Sequence, residues 1–312
     1  MSHRSLFAAL LISTAVPALA WNSEPQSVSF QNSEGRNIPA KLFTPASWVP
    51  GSNQRFPAVV MLHGCSGIYS NSLPNAQFSN IQSLFREWAD RLTAAGYVAL
   101  LVDSFTPRKP AGQNQSECNN GAGVGISEVT ERPLDAMAAH QYLQGLTDRV
   151  RTDRIGVLGW SHGASTVLAT LADTLPDGVT PKPEAAARPF RGGVAFYPGC
   201  GLNSAYNGIT FSKWRPYGAV SILHGSADPL YYDASKNTFA LQYKCTTRQD
   251  RAIQFGAGDG NGNPVTLTVY TGAAHSFDMA GGTCVSTVST PDACAKQQGD
   301  AAAMATLNQL LQ

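Results

Sequence analysis

Charged side chains are scarce in this sequence. They make up 14% of its 312 residues, and 22 basic and 21 acidic groups leave a formal net charge of +1. No stretch carries a run of one sign, so the composition does not indicate nucleic acid or an anionic membrane as a partner. Hydrophobic residues make up 43%, a share that argues against disorder. We therefore expect a compact globular protein.

Long apolar runs are absent after the first twenty residues, so we expect no membrane association of the mature chain. Residues 1–20 differ from the rest. A short positively charged start precedes the apolar stretch Leu6–Val16, which is too short to span a bilayer, and an A-x-A cleavage pattern follows it. We predict a secretory signal peptide over 1–20, a mature domain over 21–312 and a secreted or periplasmic location. An uncleaved N-terminal anchor is the alternative.

No cysteine lies in a C-x-x-C pair, so a zinc or dithiol redox site is not indicated. The six cysteines are Cys65, Cys118, Cys200, Cys245, Cys284 and Cys294. An even number in an exported chain favours disulfides over free thiols, although the sequence alone does not fix the pairing. Cys284–Cys294 is the simplest expectation because it closes the shortest loop. Reduced thiols are the alternative if the chain is not exported.

Short apolar runs bounded by turn residues alternate with segments of helical periodicity. The predicted strands are 28–30, 40–43, 57–62, 97–102, 154–158, 192–197, 219–223 and 265–270, and the predicted helices are 78–95, 128–146, 166–175, 234–243 and 299–311. This alternation is typical of βαβ units and a mostly parallel sheet. Since neither a repeat nor a linker divides the chain, we predict a single α/β domain whose doubly wound sheet is flanked by helices.

Two segments fall outside this alternation. Residues 104–127 are polar and rich in glycine and asparagine, which predicts a long functional loop. Residues 256–264 are rich in glycine, but no helix follows them and they match neither phosphate-binding fingerprint. A calcium loop is a weak alternative there, because the ligand set of an EF-hand is missing. We interpret this segment as a turn before the last strand.

The motif with the clearest chemistry is Gly159-Trp-Ser-His-Gly163, which matches G-x-S-x-G. It lies between a predicted strand and a predicted helix, where a tight turn exposes the serine hydroxyl above the sheet of an α/β hydrolase. The two glycines remove side chains that would collide in this strained turn. We therefore predict that Ser161 is a nucleophile. A purely structural turn framed by glycines is the alternative.

A serine hydroxyl needs a base to remove its proton and an acid to orient that base. In this fold the chain order is Ser, then Asp or Glu, then His. His275 follows the last predicted strand and is the expected base, and Asp228 follows the strand before it and is the preferred acid. Asp233 is the nearest alternative, although a helix N-cap explains it equally well. Asp278 is less favoured because it is so close to His275 in sequence.

Ester cleavage also needs hydrogen-bond donors for the oxyanion. We expect one from the backbone N–H of His162 and the second from the backbone N–H of Cys65, in the loop that follows an early strand. A disulfide that stiffens this loop is the preferred role for the Cys65 side chain, with Cys118 as a candidate partner. His63 and His224 each precede a glycine at a strand end, where we expect buried hydrogen-bonding roles.

Several segments together resemble the dienelactone hydrolase branch of the α/β hydrolases. They are Met61-Leu-His-Gly-Cys-Ser-Gly67, Trp88-Ala-Asp-Arg-Leu92, Gly96-Tyr-Val-Ala-Leu-Leu-Val-Asp-Ser-Phe105, Gly159–Gly163, His224-Gly-Ser-Ala-Asp-Pro229 and Tyr270 with His275-Ser-Phe277. The likeness runs from about Pro57 to Phe277, and it implies an α/β-hydrolase fold. The His-Gly-Cys segment is also similar to secreted polyester depolymerases.

One departure from the family pattern affects the expected substrate. The founding dienelactone hydrolases use a cysteine nucleophile, and Ser161 stands in its place. Those enzymes also bind a substrate carboxylate through arginines, for which Arg108 is a candidate, with a solvated surface arginine as the alternative. We predict a secreted serine hydrolase that cleaves small or polymeric carboxylic esters without a metal or organic cofactor. A peptidase or acyltransferase with the same triad, and a non-catalytic binding protein on this scaffold, are the alternatives.

Overall fold

The computed structural model describes residues 25–70, 80–109, 116–118, 125–174, 189–199, 215–230, 265–284 and 289–312. The predicted signal peptide, the predicted helix 234–243 and the predicted turn 256–264 lie outside the described residues, as do Cys200, Cys245 and Asp233.

The described residues form an eight-stranded sheet and a separate two-stranded ribbon. The strands are β1 (Gln26–Gln31), β2 (Asn37–Phe43), β3 (Phe56–Leu62), β4 (Val98–Val102), β5 (Val150–Trp160), β6 (Ala172–Thr174), β7 (Gly192–Phe196), β8 (Arg215–Pro216), β9 (Ala219–Gly225) and β10 (Val265–Tyr270). The sheet order is β1-β2-β4-β3-β5-β7-β9-β10, and β6 pairs with β8. Only the β1–β2 and β2–β4 pairs of this sheet are antiparallel. The prediction of a mostly parallel α/β sheet is confirmed.

Helices cover both faces of the sheet. They are α1 (Ser83–Ala94), α2 (Arg132–Gly145), α3 (His162–Thr170) and α4 (Pro291–Leu311), with 3-10 turns at Thr106–Arg108 and Phe277–Met279. Side chains of α2 and α3 pack in one apolar layer with Val60 of β3, and side chains of α1 and α4 pack in the other with Met61. Because both faces are buried, each central strand is a continuous apolar run in the sequence. Among the described residues, no helix has the length and apolarity needed to cross a bilayer.

Several predicted helix boundaries are wrong: the helices expected from residues 78, 128 and 166 begin instead at Ser83, Arg132 and His162. The helix expected over 166–175 ends at Thr170, because residues 172–174 pair instead with β8. The helix expected from Gly299 already begins at Pro291, where the Thr290 hydroxyl accepts a hydrogen bond from the Ala293 N–H. Gly299 lies inside this helix, and a β-carbon there would stand 3.1 Å from the ring of Phe277. Glycine at this position therefore allows close packing and does not begin the helix.

Candidate active site

Ser161 occupies a strained turn between β5 and α3, with φ 51° and ψ −114°. A β-carbon on Gly159 would lie 2.4 Å from the Gly163 carbonyl oxygen, and one on Gly163 would lie 2.0 Å from the Leu62 carbonyl oxygen. Neither position has room for a side chain, so the two glycines of the motif let α3 start directly against the end of β3. A non-glycine residue at positive φ costs about 1–3 kcal/mol and is concentrated at functional sites.

The structure brings Ser161, His275 and Asp228 into one hydrogen-bonded chain. Ser161 Oγ lies 2.9 Å from His275 Nε2, and His275 Nδ1 lies 2.7 Å from Asp228 Oδ2. Since an ionised carboxylate only accepts hydrogen bonds, Nδ1 carries the proton and Nε2 is left to accept the serine hydroxyl. These three residues follow β5, β10 and β9, whose carboxyl ends meet at one edge of the sheet. The arrangement can therefore move a proton from Ser161 to His275.

Asp228 is 2% exposed and has several hydrogen-bond donors around it. Besides His275, it faces His224 Nδ1 at 3.3 Å and accepts a 2.8 Å hydrogen bond from the Leu230 N–H. Burial acts to raise the pKa of Asp228, but the hydrogen bonds from His224 and His275 outweigh it and lower the pKa to about 2. Asp228 is therefore ionised at neutral pH, as an orienting carboxylate must be. The buried hydrogen-bonding role expected for His224 agrees with this contact.

Asp278, the less favoured acid, has different partners from Asp228. Its carboxylate accepts a 2.7 Å hydrogen bond from Trp160 Nε1 and another from the Tyr197 hydroxyl. Burial raises the pKa of Asp278 to about 7, although both of these hydrogen bonds act to lower it. The ring of Tyr197 also stands edge-on to His275, with centroids 4.8 Å apart. Asp278 thus anchors the loop that carries His275 and does not pair with the histidine itself.

Residues with strained backbone conformations lie close to Ser161 and His275. Among the described residues, three non-glycine residues have positive φ: Ser161 (51°), Tyr197 (38°) and Ser276 (61°). Ser276 directly follows His275, and Tyr197 directly follows β7 beside the same edge of the sheet. Strained conformations persist only where the surrounding packing determines them, and they are concentrated at functional sites.

The loop after β3 lies against the nucleophile turn. A β-carbon on Gly64 would stand 3.6 Å from Ser161 Cβ, so the backbone that leads to Cys65 passes close to the serine. His63 is fully buried, its Nδ1 lies 2.7 Å from the Gly64 carbonyl oxygen, and its Nε2 accepts a hydrogen bond from the Ser104 N–H. His162 begins α3, where the first backbone N–H groups have no partner within the helix. Cys65 and His162 therefore flank Ser161 from two different segments.

Among the described residues, two disulfides that the sequence suggested are formed, Cys65–Cys118 and Cys284–Cys294. The first ties the loop after β3 to the long loop that follows β4. The Glu117 N–H adds a 2.7 Å hydrogen bond to the Cys65 carbonyl oxygen, and Glu117 forms an ion pair with Lys109. This covalent and polar connection restrains the backbone on both sides of Cys65.

Arg108 is not a solvated surface arginine. Its guanidinium makes a bidentate ion pair with Asp135, with N–O distances of 2.7 and 3.0 Å, and donates to the Ser104 carbonyl oxygen. The side chain is 5% exposed. Because these hydrogen bonds occupy the guanidinium, Arg108 serves to anchor the loop after β4 to α2.

Sequence reasoning missed three residues around the site: Arg132, Trp160 and Tyr197. Arg132 is fully buried although it is the first residue of α2, where a charged side chain ordinarily faces solvent. In the sequence, Trp160 stands at a variable position of G-x-S-x-G, and Tyr197 stands at the end of a predicted strand, so neither was identified as a site residue. Each acts through a partner more than 25 residues away, for which local periodicity contains no signal.

Comparison with known proteins identifies the family. The sequence model of the dienelactone hydrolase family matches residues 40–311. The chain belongs to the dienelactone hydrolase family. Family membership makes this protein a hydrolase and confirms the resemblance seen in the sequence. Among the described residues, no group of three or more His, Cys, Asp or Glu side chains is arranged to hold a metal ion.

Individual relatives of this family member are distant. Dipeptidyl peptidase 8 of Homo sapiens and that of Mus musculus are each 26% identical over 169 residues, which is 53% of this chain and 17% of the peptidase. The match thus spans about a sixth of the length of these curated relatives.

Solved structures share the fold. Propionate-bound esterase Est2 of Thermogutta terrifontis has 17% identity and a TM-score of 0.56, over 92% of this chain and 95% of the esterase. A puromycin-hydrolysing peptidase of Mycobacterium tuberculosis has 16% identity and a TM-score of 0.59, over 93% of this chain and 40% of the peptidase. Together with the sheet order, these likenesses establish the α/β-hydrolase fold.

Proposed function

We propose that this family member is an exported serine esterase that cleaves carboxylic esters through Ser161, His275 and Asp228. The observation that carries the proposal is the hydrogen-bonded chain from Ser161 Oγ through His275 to Asp228, at 2.9 and 2.7 Å. His275 takes the hydroxyl proton as Ser161 attacks the ester carbonyl, and Asp228 stabilises the resulting imidazolium. His275 then protonates the departing alcohol. Water, deprotonated by His275, finally releases the acid from the acyl-enzyme.

The oxyanion formed in each step needs donors, and we assign the backbone N–H groups of Cys65 and His162. Among the described residues, neither N–H donates a hydrogen bond to the protein, which supports their assignment as donors to a ligand. Such a donor typically lowers the barrier by about 3 kcal/mol. This arrangement explains the reaction with protein groups alone.

Peptide cleavage and acyl transfer by the same triad are the competing functions, because loops select the leaving group and the acceptor. The solved structures that share the fold include both an esterase and peptidases. The family match favours an ester, since a lactone is a cyclic ester. Ser161 in place of the cysteine of the founding members favours a broader ester range than dienelactone itself.

Substitution of the proposed nucleophile tests the assignment directly. Ser161→Ala should abolish hydrolysis of p-nitrophenyl esters, typically by several orders of magnitude, and should abolish labelling by a fluorophosphonate probe. Ser29→Ala, on an exposed position of β1, is the control and should keep both. Retained turnover in Ser161→Ala would contradict the triad. A folded wild-type protein that neither reacts with the probe nor turns over any ester would favour a binding protein.

A substrate panel separates ester from amide cleavage. We expect turnover of p-nitrophenyl esters of increasing acyl length and little turnover of an aminoacyl p-nitroanilide. Faster cleavage of the anilide than of every ester would instead favour a peptidase. Acyltransfer would appear as an ester product when a second alcohol competes with water.

Export is the second part of the proposal. Disulfides persist mainly in oxidising compartments, and both Cys65–Cys118 and Cys284–Cys294 support such a destination. Expression in a Gram-negative host followed by cell fractionation should recover the protein in the periplasm or medium. N-terminal sequencing of that material should begin near Trp21. Recovery only in the cytosol with an intact first residue would contradict export.

A further inference from the structure

Arg132 bridges the two segments that carry the proposed oxyanion donors. Its side chain is fully buried. Nη2 donates a 2.9 Å hydrogen bond to the His63 carbonyl oxygen, two residues before Cys65, and Nη1 lies 2.7 Å from His162 Nδ1. One rigid guanidinium plane therefore spans the gap between the loop after β3 and the start of α3.

The protonation states of Arg132 and His162 favour a strong hydrogen bond between them. Burial lowers the pKa of His162 well below its usual range, so the imidazole is neutral and Nδ1 can accept from Arg132. Burial also lowers the pKa of Arg132 to about 10, which leaves the guanidinium charged at neutral pH. Hydrogen bonds from a charged donor are shorter and roughly twice as strong as neutral ones. If this position served packing alone, an apolar residue of similar volume would fill it without the cost of a buried charge.

Peptide geometry connects these contacts to the direction of the Cys65 N–H. The Gly64 carbonyl and the Cys65 N–H belong to one planar trans peptide, so they point in opposite directions. The Gly64 carbonyl lies 2.7 Å from His63 Nδ1 and also accepts from the Gly67 N–H. Arg132 fixes the carbonyl of the preceding peptide. Two successive peptide planes are thus restrained, and the orientation of the Cys65 N–H follows from them.

We propose that Arg132 is a positioning residue that sets the separation and direction of the two oxyanion donors, Cys65 N–H and His162 N–H. The inference rests on the proposed function, since it gives Arg132 a role only if an oxyanion forms at Ser161. Arg132 makes no hydrogen bond to Ser161 or His275; among the described residues it acts through its hydrogen bonds to His63 and His162. Donors fixed before the reaction stabilise a developing charge without reorganisation.

The test compares an ester with its thionoester, in which sulfur replaces the carbonyl oxygen. Sulfur is larger and accepts hydrogen bonds weakly, so a well-formed oxyanion hole favours the oxygen substrate. Arg132→Lys keeps the charge but loses the fork that reaches both segments. In Arg132→Lys we expect kcat for the ester to fall on the order of 10- to 100-fold, while KM changes by less than about threefold. The ratio of kcat for the ester to kcat for the thionoester should also fall.

Arg91→Lys is the matched control. Arg91 pairs with Asp300 and lies over Trp88, on the opposite face of the sheet from α2. Arg91→Lys should shift the midpoint of thermal unfolding without changing the ratio of kcat for the ester to kcat for the thionoester. An Arg132→Lys protein with wild-type kcat, or with equal losses on both substrates, would overturn the proposal. Wild-type protein that hydrolyses no ester would instead overturn the proposed function.

A second variant keeps the inference testable if Arg132→Lys does not fold. His162→Leu retains the backbone N–H but removes the Nδ1 acceptor, so it breaks the same link from the other side. It should lower the ester-to-thionoester ratio, and an unchanged ratio in this variant would overturn the proposal. Where all variants fold, the Arg132→Lys/His162→Leu double variant should lose less than the product of the two single effects, because both remove one interaction. Multiplicative losses would also overturn it.

Discussion

Trp160 and Asp278 are joined by a buried hydrogen bond of 2.7 Å, from indole Nε1 to Oδ2, across 118 residues of sequence. Trp160 directly precedes Ser161, and Asp278 follows His275 by three residues. The same carboxyl group accepts from the Tyr197 hydroxyl. The segment of the proposed nucleophile and the segment of the proposed base are therefore held together by residues that take no part in the chemistry.

Asp278→Asn should change how stability depends on pH. Burial raises the pKa of Asp278 to about 7 in the folded protein, from an ordinary value of 3.8. Between these two values the folded state holds a proton that the unfolded state has lost, so the free energy of unfolding falls as pH rises. The slope from this group approaches 1.4 kcal/mol per pH unit, about the value for one proton. Urea unfolding from pH 4 to 8 should show this fall in the wild type and a flatter profile in Asp278→Asn.

Asp148→Asn is the control for this experiment. Asp148 is half-exposed and its pKa is lowered, chiefly by a hydrogen bond from Arg149, so its substitution should leave the fall between pH 4 and 7 in place. If Asp278→Asn kept the full wild-type slope, Asp278 would not be the titrating group.

Much of the fold could be predicted because the signals are local. Each central strand is buried on both faces, so it appears in the sequence as an apolar run, and the strained turn at Ser161 requires glycines at fixed offsets. The Cys284–Cys294 disulfide also agrees with the simplest expectation, which was the shortest loop, although the sequence left the pairing open. Prediction from local signals fails where pairing with a distant segment determines the structure. Residues 172–174 were predicted to be helical, but they pair with β8.

The surroundings of the site could not be predicted from one sequence. The sequence favoured Asp228 over Asp278 as the partner of His275, but only the packing shows that Asp278 instead accepts hydrogen bonds from Trp160 and Tyr197. Arg132 begins a helix, where charge usually implies exposure, yet the loop after β3 and the start of α3 enclose it. These contacts join residues 30 to 118 positions apart.

Asp228→Asn tests whether Asp228 orients the imidazole of His275. An amide presents a donor where the carboxylate accepts, so His275 would turn to the wrong tautomer and lose its ability to take the Ser161 proton. By analogy with other triads, kcat should fall on the order of 10⁴-fold, measured with a p-nitrophenyl ester near pH 8. A loss below about tenfold would exclude Asp228 as the orienting acid.

The same substitution carries a stability prediction. Hydrogen bonds from His224 and His275 overcome the effect of burial and lower the pKa of Asp228 to about 2. Stability from the ionised carboxylate is therefore present above about pH 4 and is lost as pH falls towards 2. Acid unfolding followed by circular dichroism should show a smaller loss over this range in Asp228→Asn than in the wild type. Identical acid profiles would contradict the lowered pKa.

Removal of Cys65–Cys118 should affect activity more than removal of Cys284–Cys294. Chain entropy for a sequence separation of 53 residues gives a stability loss of about 4 kcal/mol, against about 3 kcal/mol for a separation of 10. A Cys65→Ser/Cys118→Ser protein keeps the backbone N–H at position 65 but frees the loop that aims it. We expect kcat to fall with little change in KM.

The matched variant is Cys284→Ser/Cys294→Ser, which lacks a disulfide but leaves the loop after β3 tied. It should lose stability while keeping most of its kcat, measured below the unfolding temperature of both proteins. Equal kcat values in the two double variants would show that Cys65–Cys118 serves stability alone.

Gly163→Ala should prevent the nucleophile turn from forming. The added methyl group would lie 2.0 Å from the Leu62 carbonyl oxygen, a contact with backbone that no side-chain rotation relieves. Either β3 or α3 has to move, and both movements displace Ser161 from His275. Gly145→Ala, at the end of α2 with open space around it, is the control and should be tolerated or slightly stabilising. We expect Gly163→Ala to show less soluble protein and no fluorophosphonate labelling. Full labelling of Gly163→Ala at the wild-type rate would show that the close approach of α3 to β3 is not required for the reactive serine.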